Sequence, residues 1–229
     1  MKLLIAIPAY NEAENIERVV DNLIQNYPQY DYIVINDGSR DSTARICREN
    51  HYHLLDLPIN LGLAGAFQAG MKYADRKGYD CLLQLDGDGQ HRPEYIASML
   101  AKMEAENLDI VIGSRFVTEK KPLSARMLGS RMLVMAIRIT TGQKLTDPTS
   151  GMRMFSRNMI REFSQNINYG PEPDTMAYLI KNGAKVGEAQ VQMDERMAGE
   201  SYLNFARSVR YMLNMFVSIL FIQNFRKRR

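Results

Sequence analysis

The chain has 229 residues, of which 45% are apolar and 24% are charged. This composition is that of an ordinary globular protein, long enough for one domain or for one domain with an appendage. The formal net charge is +3, but four of the 29 basic residues are the C-terminal Arg226-Lys227-Arg228-Arg229. The rest of the chain has 25 basic and 26 acidic residues, a net charge of −1. A nearly neutral body with a basic tail argues against a nucleic-acid-binding surface.

The cysteines and the apolar runs indicate the redox compartment and whether the chain carries a signal peptide or a membrane span. Cys47 and Cys81 are too few for a disulfide scaffold and fit a reducing cytosol. The apolar run at residues 3–7 is too short for a signal peptide and stops at Pro8. No stretch reaches the ~18 apolar residues expected of a membrane span.

Strands and helices alternate through the first half of the chain. Short apolar runs predict five strands, at residues 2–8, 30–36, 54–57, 80–85 and 109–113. Helices are predicted between them: one capped by Asn11 with Glu14, one from residue 41 or 42 to 49, one from about 60 to 78, and one entered through Pro93. This alternation predicts an α/β fold with a mainly parallel central sheet flanked by helices.

The second half of the chain is predicted to be less regular. We expect helices at residues 124–141 and 174–182, and strands at residues 152–155 and 186–193. The last predicted helix, at residues 202–225, is apolar over most of its surface. Its narrow polar stripe consists of Arg207, Arg210, Asn214 and Ser218.

The apolar strand at residues 80–85 leads directly into Asp86-Gly87-Asp88-Gly89-Gln90-His91. Alternate residues of an extended chain project to one side, so both carboxylates can face one ion at the strand's carboxyl end. A hard divalent cation takes one or two carboxylates and completes its shell with phosphate oxygens and water. An acidic turn is the alternative interpretation, because Asp-Gly is common in turns.

Polar residues also follow the neighbouring strands, at Tyr10-Asn11-Glu12, Asp37-Gly38-Ser39 and Ser114-Arg115. Because parallel strands end at one edge of the sheet, this pattern predicts a nucleotide site there. The glycines at 62, 65 and 70 match neither a Walker A loop nor the dinucleotide fingerprint. The Asp-x-Asp-Gly motif also resembles haloacid-dehalogenase phosphatases, but in those enzymes it usually opens the chain.

Six motifs occur in a fixed order: Ile7-Pro8-Ala9-Tyr10-Asn11-Glu12, Asn36-Asp37-Gly38-Ser39, Asp86-Gly87-Asp88-Gly89-Gln90-His91, Gly113-Ser114-Arg115, Asp147 with Ser150-Gly151-Met152-Arg153, and Arg196 with Gly199-Glu200-Ser201. Together they resemble family 2 glycosyltransferases of the GT-A fold. Within that family the chain is most similar to the dolichol-phosphate mannose synthases and their bacterial polyprenyl-phosphate relatives. The resemblance spans about residues 3–202.

The resemblance implies a role for each matching residue. The nucleotide would be held by Pro8, Tyr10, Glu12, Asp37 and Asp86. Mg²⁺ or Mn²⁺ on the diphosphate would be surrounded by Asp86, Asp88 and Gln90, with Asp88 essential for catalysis. The acceptor's phosphate would be bound by Arg115, Arg126, Ser130 and Arg196, which suits arginine's planar, charged fork. The structural alternative for Arg126 is a solvated helix face.

The implied reaction is a metal-dependent, inverting transfer of a hexose. The donor would be a nucleotide diphosphate sugar, with UDP as the expected nucleotide, and the acceptor a polyprenyl phosphate such as undecaprenyl phosphate, in cell-envelope glycan synthesis. A phosphate is already an anion near pH 7, whereas a sugar hydroxyl needs a base, for which Asp147 or Asp174 is the candidate. Transfer to a hydroxyl of a lipid-linked glycan is therefore the alternative reaction. A non-catalytic, membrane-peripheral nucleotide-sugar sensor is the alternative class.

Residues 1–202 are expected to form the GT-A catalytic domain, and residues 203–229 a C-terminal amphipathic helix with a basic tail. The apolar segment 211–225 has 15 residues, fewer than the ~20 that span a bilayer. We expect this helix to lie on the cytoplasmic face of the cell membrane, where anionic headgroups attract the tail. Packing on the domain, or against a small membrane protein partner, is the alternative.

Overall fold

The computed structural model describes residues 1–166, 169–195 and 205–223, without the side chains of residues 125–126 and 205–207. The strands are β1 (Leu3–Ala9), β2 (Asp31–Asn36), β3 (Leu54–Asp56), β4 (Cys81–Gln84), β5 (Ile110–Ser114), β6 (Arg153–Ser156) and β7 (Val186–Gln190). The helices are α1 (Ile16–Asn26), α2 (Thr43–Glu49), α3 (Gly62–Lys77), α4 (Ile96–Ala105), α5 (Ala125–Thr141), α6 (Arg157–Gln165), α7 (Pro173–Lys181) and α8 (Phe205–Val217). A 3₁₀ turn (Pro93–Tyr95) precedes α4, and a π-helical turn (Ser218–Ile222) extends α8.

The strands form one sheet in the order β3-β2-β1-β4-β6-β5-β7. β1 pairs in parallel with β2 on one side and β4 on the other, β2 pairs in parallel with β3, and β5 with β7. β6 is the exception, because it is antiparallel to both β4 and β5. The sheet is therefore mainly parallel, as predicted. Its strand order reverses at β1, the kind of position where open α/β sheets bind ligands.

The core lies on both faces of the sheet. On one face, Leu4 and Ala6 of β1 pack with residues of α3, α5, α6 and α7. On the other face, Leu3, Ile5 and Ile7 pack with residues of α1, α2 and α4. Since both faces are covered by helices, the strands are near-continuous apolar runs rather than alternating ones.

The helix α8 packs against α5 and α7. Ser218 Oγ donates a hydrogen bond to Asp174 Oδ2 at 2.7 Å, and Gln223 Nε2 donates to the same oxygen at 3.1 Å. The Tyr211 hydroxyl donates to the carboxylate of Glu172. The acidic residues at the start of α7 therefore attach α8 and its extension to the rest of the fold.

The helices α5 and α8 each expose a line of apolar side chains. On α5 these are Leu128, Met132, Met135 and Ile139; on α8 and its extension they are Val209, Leu213, Val217 and Phe221. Residues three and four apart lie on the same side of a helix, so each set forms one stripe. In the described part of the chain, no helix is both long enough and apolar enough to cross a membrane.

Two predicted boundaries were wrong, and one helix was missed. α1 begins at Ile16, and Asn11 does not cap it: Asn11 has a φ of 55°, and its Oδ1 accepts a hydrogen bond from Arg40 N at 2.8 Å. The helix α6 was not predicted. β7 ends at Gln190 rather than at residue 193, and Met193 instead forms an isolated antiparallel bridge with His91.

Truncation of a core aromatic ring should destabilise the fold strongly. Phe67, Phe155 and Phe163 form a cluster with ring centroids 5.0–5.6 Å apart, and Phe163 is buried. Phe163→Ala should lower the free energy of unfolding by about 3–5 kcal/mol in denaturant titrations, because it leaves a cavity. The control Ile24→Ala, on the exposed face of α1, should change it by less than about 0.5 kcal/mol. Similar losses for both variants would contradict this description of the core.

Candidate functional site

The loops that follow β1 and β2 are joined by hydrogen bonds. Asn11 N donates to Ser39 Oγ at 3.0 Å, and Arg40 N donates to Asn11 Oδ1 at 2.8 Å. Glu12 N donates to Thr43 Oγ1 at 2.9 Å. These bonds hold the polar segments after the two strands side by side at one edge of the sheet.

Asp37 directly follows β2 and is 3% exposed. Its Oδ1 accepts a hydrogen bond from Leu61 N at 2.7 Å. Burial raises the pKa of Asp37, while hydrogen bonds from the amides of Leu61 and Gly62 oppose that change. The next residue, Gly38, has a φ of +64°, and a Cβ there would lie 2.5 Å from the carbonyl carbon of Ile59. The loop before α3 therefore packs tightly on Asp37 and fixes its carboxylate.

Pro8, Tyr10 and Glu12 lie at the end of β1, beside the loop that follows β4. A Cβ on Gly87 would lie 3.2 Å from Pro8 O and 3.6 Å from Glu12 Cγ, so the two loops are in contact. The Tyr10 side chain is 37% exposed, which leaves its ring accessible to a planar ligand. The structure thus brings the residues after β1 next to Asp86, at the end of β4.

Asp86 is positioned by three neighbours. Its backbone N donates to His91 Nδ1 at 3.0 Å, and Gln84 Nε2 donates to Asp86 Oδ1 at 3.2 Å. The His91 side chain is 3% exposed, and its Nε2 lies 3.7 Å from Asp86 Oδ2. On another side, a Cβ on Gly151 would lie 2.5 Å from Asp86 Oδ2. His91 and Gly151, to which the sequence assigned no role, therefore determine where the Asp86 carboxylate lies.

Asp88 and Gln90 belong to a loop that is tied to the segment after β7. Asp88 Oδ1 accepts a hydrogen bond from Gln90 N at 3.1 Å. Gln90 Nε2 donates to Asp194 O at 3.2 Å, and Asp194 N donates to Gln90 O at 2.9 Å. Arg92 forms an ion pair with the Asp194 carboxylate, which lowers the pKa of Asp194. These contacts leave the side-chain oxygen Oε1 as the Gln90 atom that could contact a metal ion.

The carboxylates of Asp86 and Asp88 fit a hard cation that binds together with phosphate oxygens. Among the residues that the structure describes, no three His, Cys, Asp or Glu side chains form a group that could hold a metal ion. Mg²⁺ is commonly bound by one or two carboxylates plus substrate phosphates rather than by an all-protein cage. The residues present therefore suit a cation that takes its remaining ligands from outside the protein.

Arg115 and Asp147 form a bidentate ion pair after β5. Arg115 Nε lies 2.7 Å from Asp147 Oδ2, and Arg115 Nη2 lies 3.0 Å from Asp147 Oδ1. Asp147 is fully buried, and its backbone N donates to Glu188 Oε1 at 2.7 Å. The pair occupies both oxygens of Asp147 and leaves Nη1 of Arg115 for a ligand.

Ser130 of α5 lies beside a lysine that the sequence did not single out. Ser130 is buried, and its Oγ accepts a hydrogen bond from Lys121 Nζ at 2.7 Å. Burial lowers the pKa of Lys121, and the negative charge of Asp147 opposes that change. Arg126 lies in the first turn of α5, but its side chain is outside the description, as is the whole of Arg196.

A buried guanidinium lies beside the end of β4. Arg153 of β6 is paired with Gln84 of β4 across the sheet and donates from Nη2 to Pro148 O at 2.7 Å. Arg153 Nε and Nη1 and Gln84 Oε1 have no hydrogen-bond partner among the described residues. Buried polar groups normally form hydrogen bonds. These three atoms could therefore form hydrogen bonds with a buried water molecule or with a polar atom of a ligand.

Comparison with known proteins gives a consistent result. The family model for Glycosyl transferase family 2 matches residues 4–164. The chain is 31% identical over 217 residues to undecaprenyl-phosphate mannosyltransferase from Micrococcus luteus, covering 89% of this chain and 88% of that one. It is 29% identical over 214 residues to UDP-N-acetylglucosamine–dolichyl-phosphate N-acetylglucosaminyltransferase from Methanococcus voltae, covering 83% and 84%.

The structure resembles glucosyl-3-phosphoglycerate synthase from Mycobacterium tuberculosis, crystallised with Mn²⁺, UDP and phosphoglyceric acid. The TM-score is 0.71 over 96% of this chain and 78% of that chain, at 19% identity. At this identity the likeness establishes the fold alone, and it confirms the predicted GT-A fold.

Removing the buried carboxylate of Asp147 should destabilise the protein. Asp147→Ala leaves the Arg115 guanidinium without its partner, so we expect a loss of about 2–4 kcal/mol in the free energy of unfolding, less than for a wholly buried pair because Arg115 is partly exposed. Glu49→Ala, which breaks the exposed pair with Arg45, is the control and should cost under about 1 kcal/mol. Equal losses in denaturant unfolding would show that the Asp147 pair does not hold this region together.

Proposed function

Because the chain belongs to glycosyl transferase family 2, we propose that it moves a hexose from a nucleotide diphosphate sugar, with UDP as the nucleotide, to a polyprenyl phosphate. The chain is a glycosyltransferase; its donor, acceptor and metal are what we propose. The acceptor class is supported by the Micrococcus luteus and Methanococcus voltae relatives, which are named for undecaprenyl and dolichyl phosphate. The observation that carries the proposal is that Asp86 lies beside the residues that follow β1, at one edge of the sheet.

The nucleotide is proposed to lie across the ends of β1, β2 and β4. The accessible ring of Tyr10, with Pro8, would contact the base, while Glu12 and the fixed carboxylate of Asp37 would accept hydrogen bonds from the base or ribose. UDP is supported by the name of the Methanococcus voltae relative and by the UDP complex of the structural relative. The relatives do not identify the sugar that this chain uses, because one is named for mannose and the other for N-acetylglucosamine.

Asp86, Asp88 and Gln90 are proposed to hold Mg²⁺ or Mn²⁺ against the donor's diphosphate. When bound, the cation neutralises the negative charge that develops on the leaving nucleoside diphosphate. His91 and Gly151 contribute by holding the Asp86 carboxylate in one position. The Mn²⁺ complex of the structural relative supports a divalent cation.

Arg115, Arg126, Ser130 and Arg196 are proposed to bind the acceptor's phosphate. An oxygen of that phosphate attacks the sugar carbon from the face opposite the diphosphate, so the new carbon–oxygen bond forms as the old one breaks and the configuration inverts. The phosphate is already ionised, so no side chain has to remove a proton. The described atoms suited to this role are Nη1 of Arg115 and the hydroxyl of Ser130.

The contacts of the acidic residues favour a phosphate acceptor over a sugar hydroxyl. A hydroxyl would need a general base, but Asp147 is fully buried and paired with Arg115. Asp174 accepts hydrogen bonds from Ser218 and Gln223, and so is occupied in attaching α8. The presence of all three proposed metal ligands, Asp86, Asp88 and Gln90, together with membership of a glycosyltransferase family, argues against a non-catalytic sensor. Sugar-nucleotide turnover by the purified protein separates the two.

Transfer should occur in a panel of nucleotide sugars with undecaprenyl phosphate, and it should require a divalent cation. Asp88→Asn should lower kcat at least ~10²-fold, because it removes charge from a proposed metal ligand. Asp80→Asn is the matched control: Asp80 is exposed and lies at the opposite, amino end of β4. Lipid product is read by chromatography. Full activity in EDTA, with no metal retained by the protein, would contradict the metal's role.

The apolar stripes of α5 and α8 are proposed to rest on the cytoplasmic face of the membrane. They lie on two helices that pack against each other, and exposed Arg131 and Arg138 lie on α5. Residues 203–229 would form the membrane-associating segment, with the basic tail contacting anionic headgroups. The same surface would suit a small membrane protein as a further partner.

Surface substitutions test the membrane contact without disturbing the core, whereas deletion of α8 and its extension would remove buried Ile219. The double variant Met135→Ser and Ile139→Ser should weaken binding to anionic vesicles at least about tenfold, since each buried apolar side chain is worth about 1.5–3 kcal/mol. The control Ile24→Ser, on the other face of the sheet, should bind normally. Unchanged flotation of the double variant would show that α5 does not contact the lipid.

A further inference from the structure

Lys121 lies in the loop between β5 and α5, and hydrogen bonds connect it to that helix. Its Nζ donates to Ser130 Oγ at 2.7 Å, and its own carbonyl accepts a hydrogen bond from Arg131 Nη2 at 3.0 Å. The Nζ lies 5.3 Å from the centre of the Phe116 ring, and Arg115 Cζ lies 5.2 Å from the centre of the same ring. Two cations therefore share one aromatic side chain, next to a buried hydroxyl.

The charge of Lys121 is less well compensated than that of Arg115. Arg115 is paired with Asp147, whereas no carboxylate in the described ranges forms an ion pair with Lys121. Glu188, the other acid that acts on Lys121, already accepts hydrogen bonds from the backbone amides of Thr146 and Asp147. A half-buried ammonium without an ionic partner is unfavourable unless an anion joins it.

The hydrogen bond to Ser130 also determines what the hydroxyl can do. A lysine ammonium can only donate, so Ser130 Oγ must be the acceptor in this contact. The hydroxyl proton of Ser130 is then directed elsewhere and is available to an acceptor such as a phosphate oxygen. Lys121 thus supplies a positive charge and orients a second donor at the same place.

We propose that Lys121 binds the phosphate of the acceptor lipid directly, together with Ser130 and Arg115, and so helps to select a phosphate over a neutral hydroxyl. The role applies only to a phosphate acceptor, so this inference rests on the proposed function. The purely structural alternative is that Lys121 serves only to tether the loop before α5.

Lys121→Met tests this directly, because it keeps the length and apolar packing of the side chain and removes its charge. We expect a 10- to 100-fold rise in KM for undecaprenyl phosphate, the effect of losing one charge-assisted contact, with KM for the nucleotide sugar within about twofold. The matched control is Lys120→Met, at the adjacent exposed position, and its KM values should be those of the wild type. A normal acceptor KM in Lys121→Met would overturn the inference. So would a lower melting temperature with equal losses for both substrates, which indicates a tether.

Calorimetric binding of soluble geranyl phosphate, in the presence of UDP and Mn²⁺, separates this inference from the proposed function. Lys121→Met should bind geranyl phosphate 10- to 100-fold more weakly than Lys120→Met does. The two variants should have the same affinity for geraniol, which lacks the phosphate. If the wild type binds geranyl phosphate in this Lys121-dependent way but transfers no sugar, the reaction is wrong and the Lys121 site stands. If the wild type transfers sugar and Lys121→Met binds normally, only the Lys121 site is wrong. If the wild type binds no geranyl phosphate, the Lys121 site is wrong whatever the reaction.

Discussion

The geometry of the site depends on the buried carboxylate of Asp147. It binds Arg115 after β5 through two contacts, while its backbone amide is held by Glu188 of β7. The same loop continues to Gly151, whose missing side chain makes room for Asp86. One buried charge thereby fixes the end of β5, where the acceptor is proposed to bind, relative to the end of β4, where the diphosphate is proposed. Because a buried charge without its partner is costly, the end of β5 and the loop that contacts Asp86 are held together.

Much of the fold could be predicted because parallel strands that are buried on both faces are continuous apolar runs. The five strands of the first half were located in this way, each with the polar segment that follows it. The helix α6 was missed because it follows β6 without an intervening turn, and its core contacts depend on only Met159, Ile160 and Phe163. The antiparallel insertion of β6 between β4 and β5 was also unpredictable, since local patterns do not specify which strands pair.

The candidate site was predictable where its residues follow one another along the chain, as Asp86, Asp88 and Gln90 do after an apolar strand. The contacts that position those residues were not. Gly151 approaches Asp86 from a distant loop, and Lys121 reaches Ser130 only because the loop before α5 folds back on that helix. Such contacts arise from tertiary packing, so neither the residue type nor the spacing along the chain predicts them. The acceptor roles of Arg126 and Arg196 stay predictions, since the first lacks a described side chain and the second lies outside the described residues.

The hydrogen bonds that attach α8 to α7 have a consequence for how the protein would meet a bilayer. Many amphipathic segments are unstructured in water and fold only on a surface, which consumes 2–5 kcal/mol or more of the interaction free energy. Here Ser218 and Gln223 are already bound to Asp174, and the helix is formed and oriented before any contact. Docking would therefore be a rigid-body event with little ordering cost. The height of the strand-end site above the lipid headgroups would then be a fixed property of the fold, independent of the lipid that the protein meets.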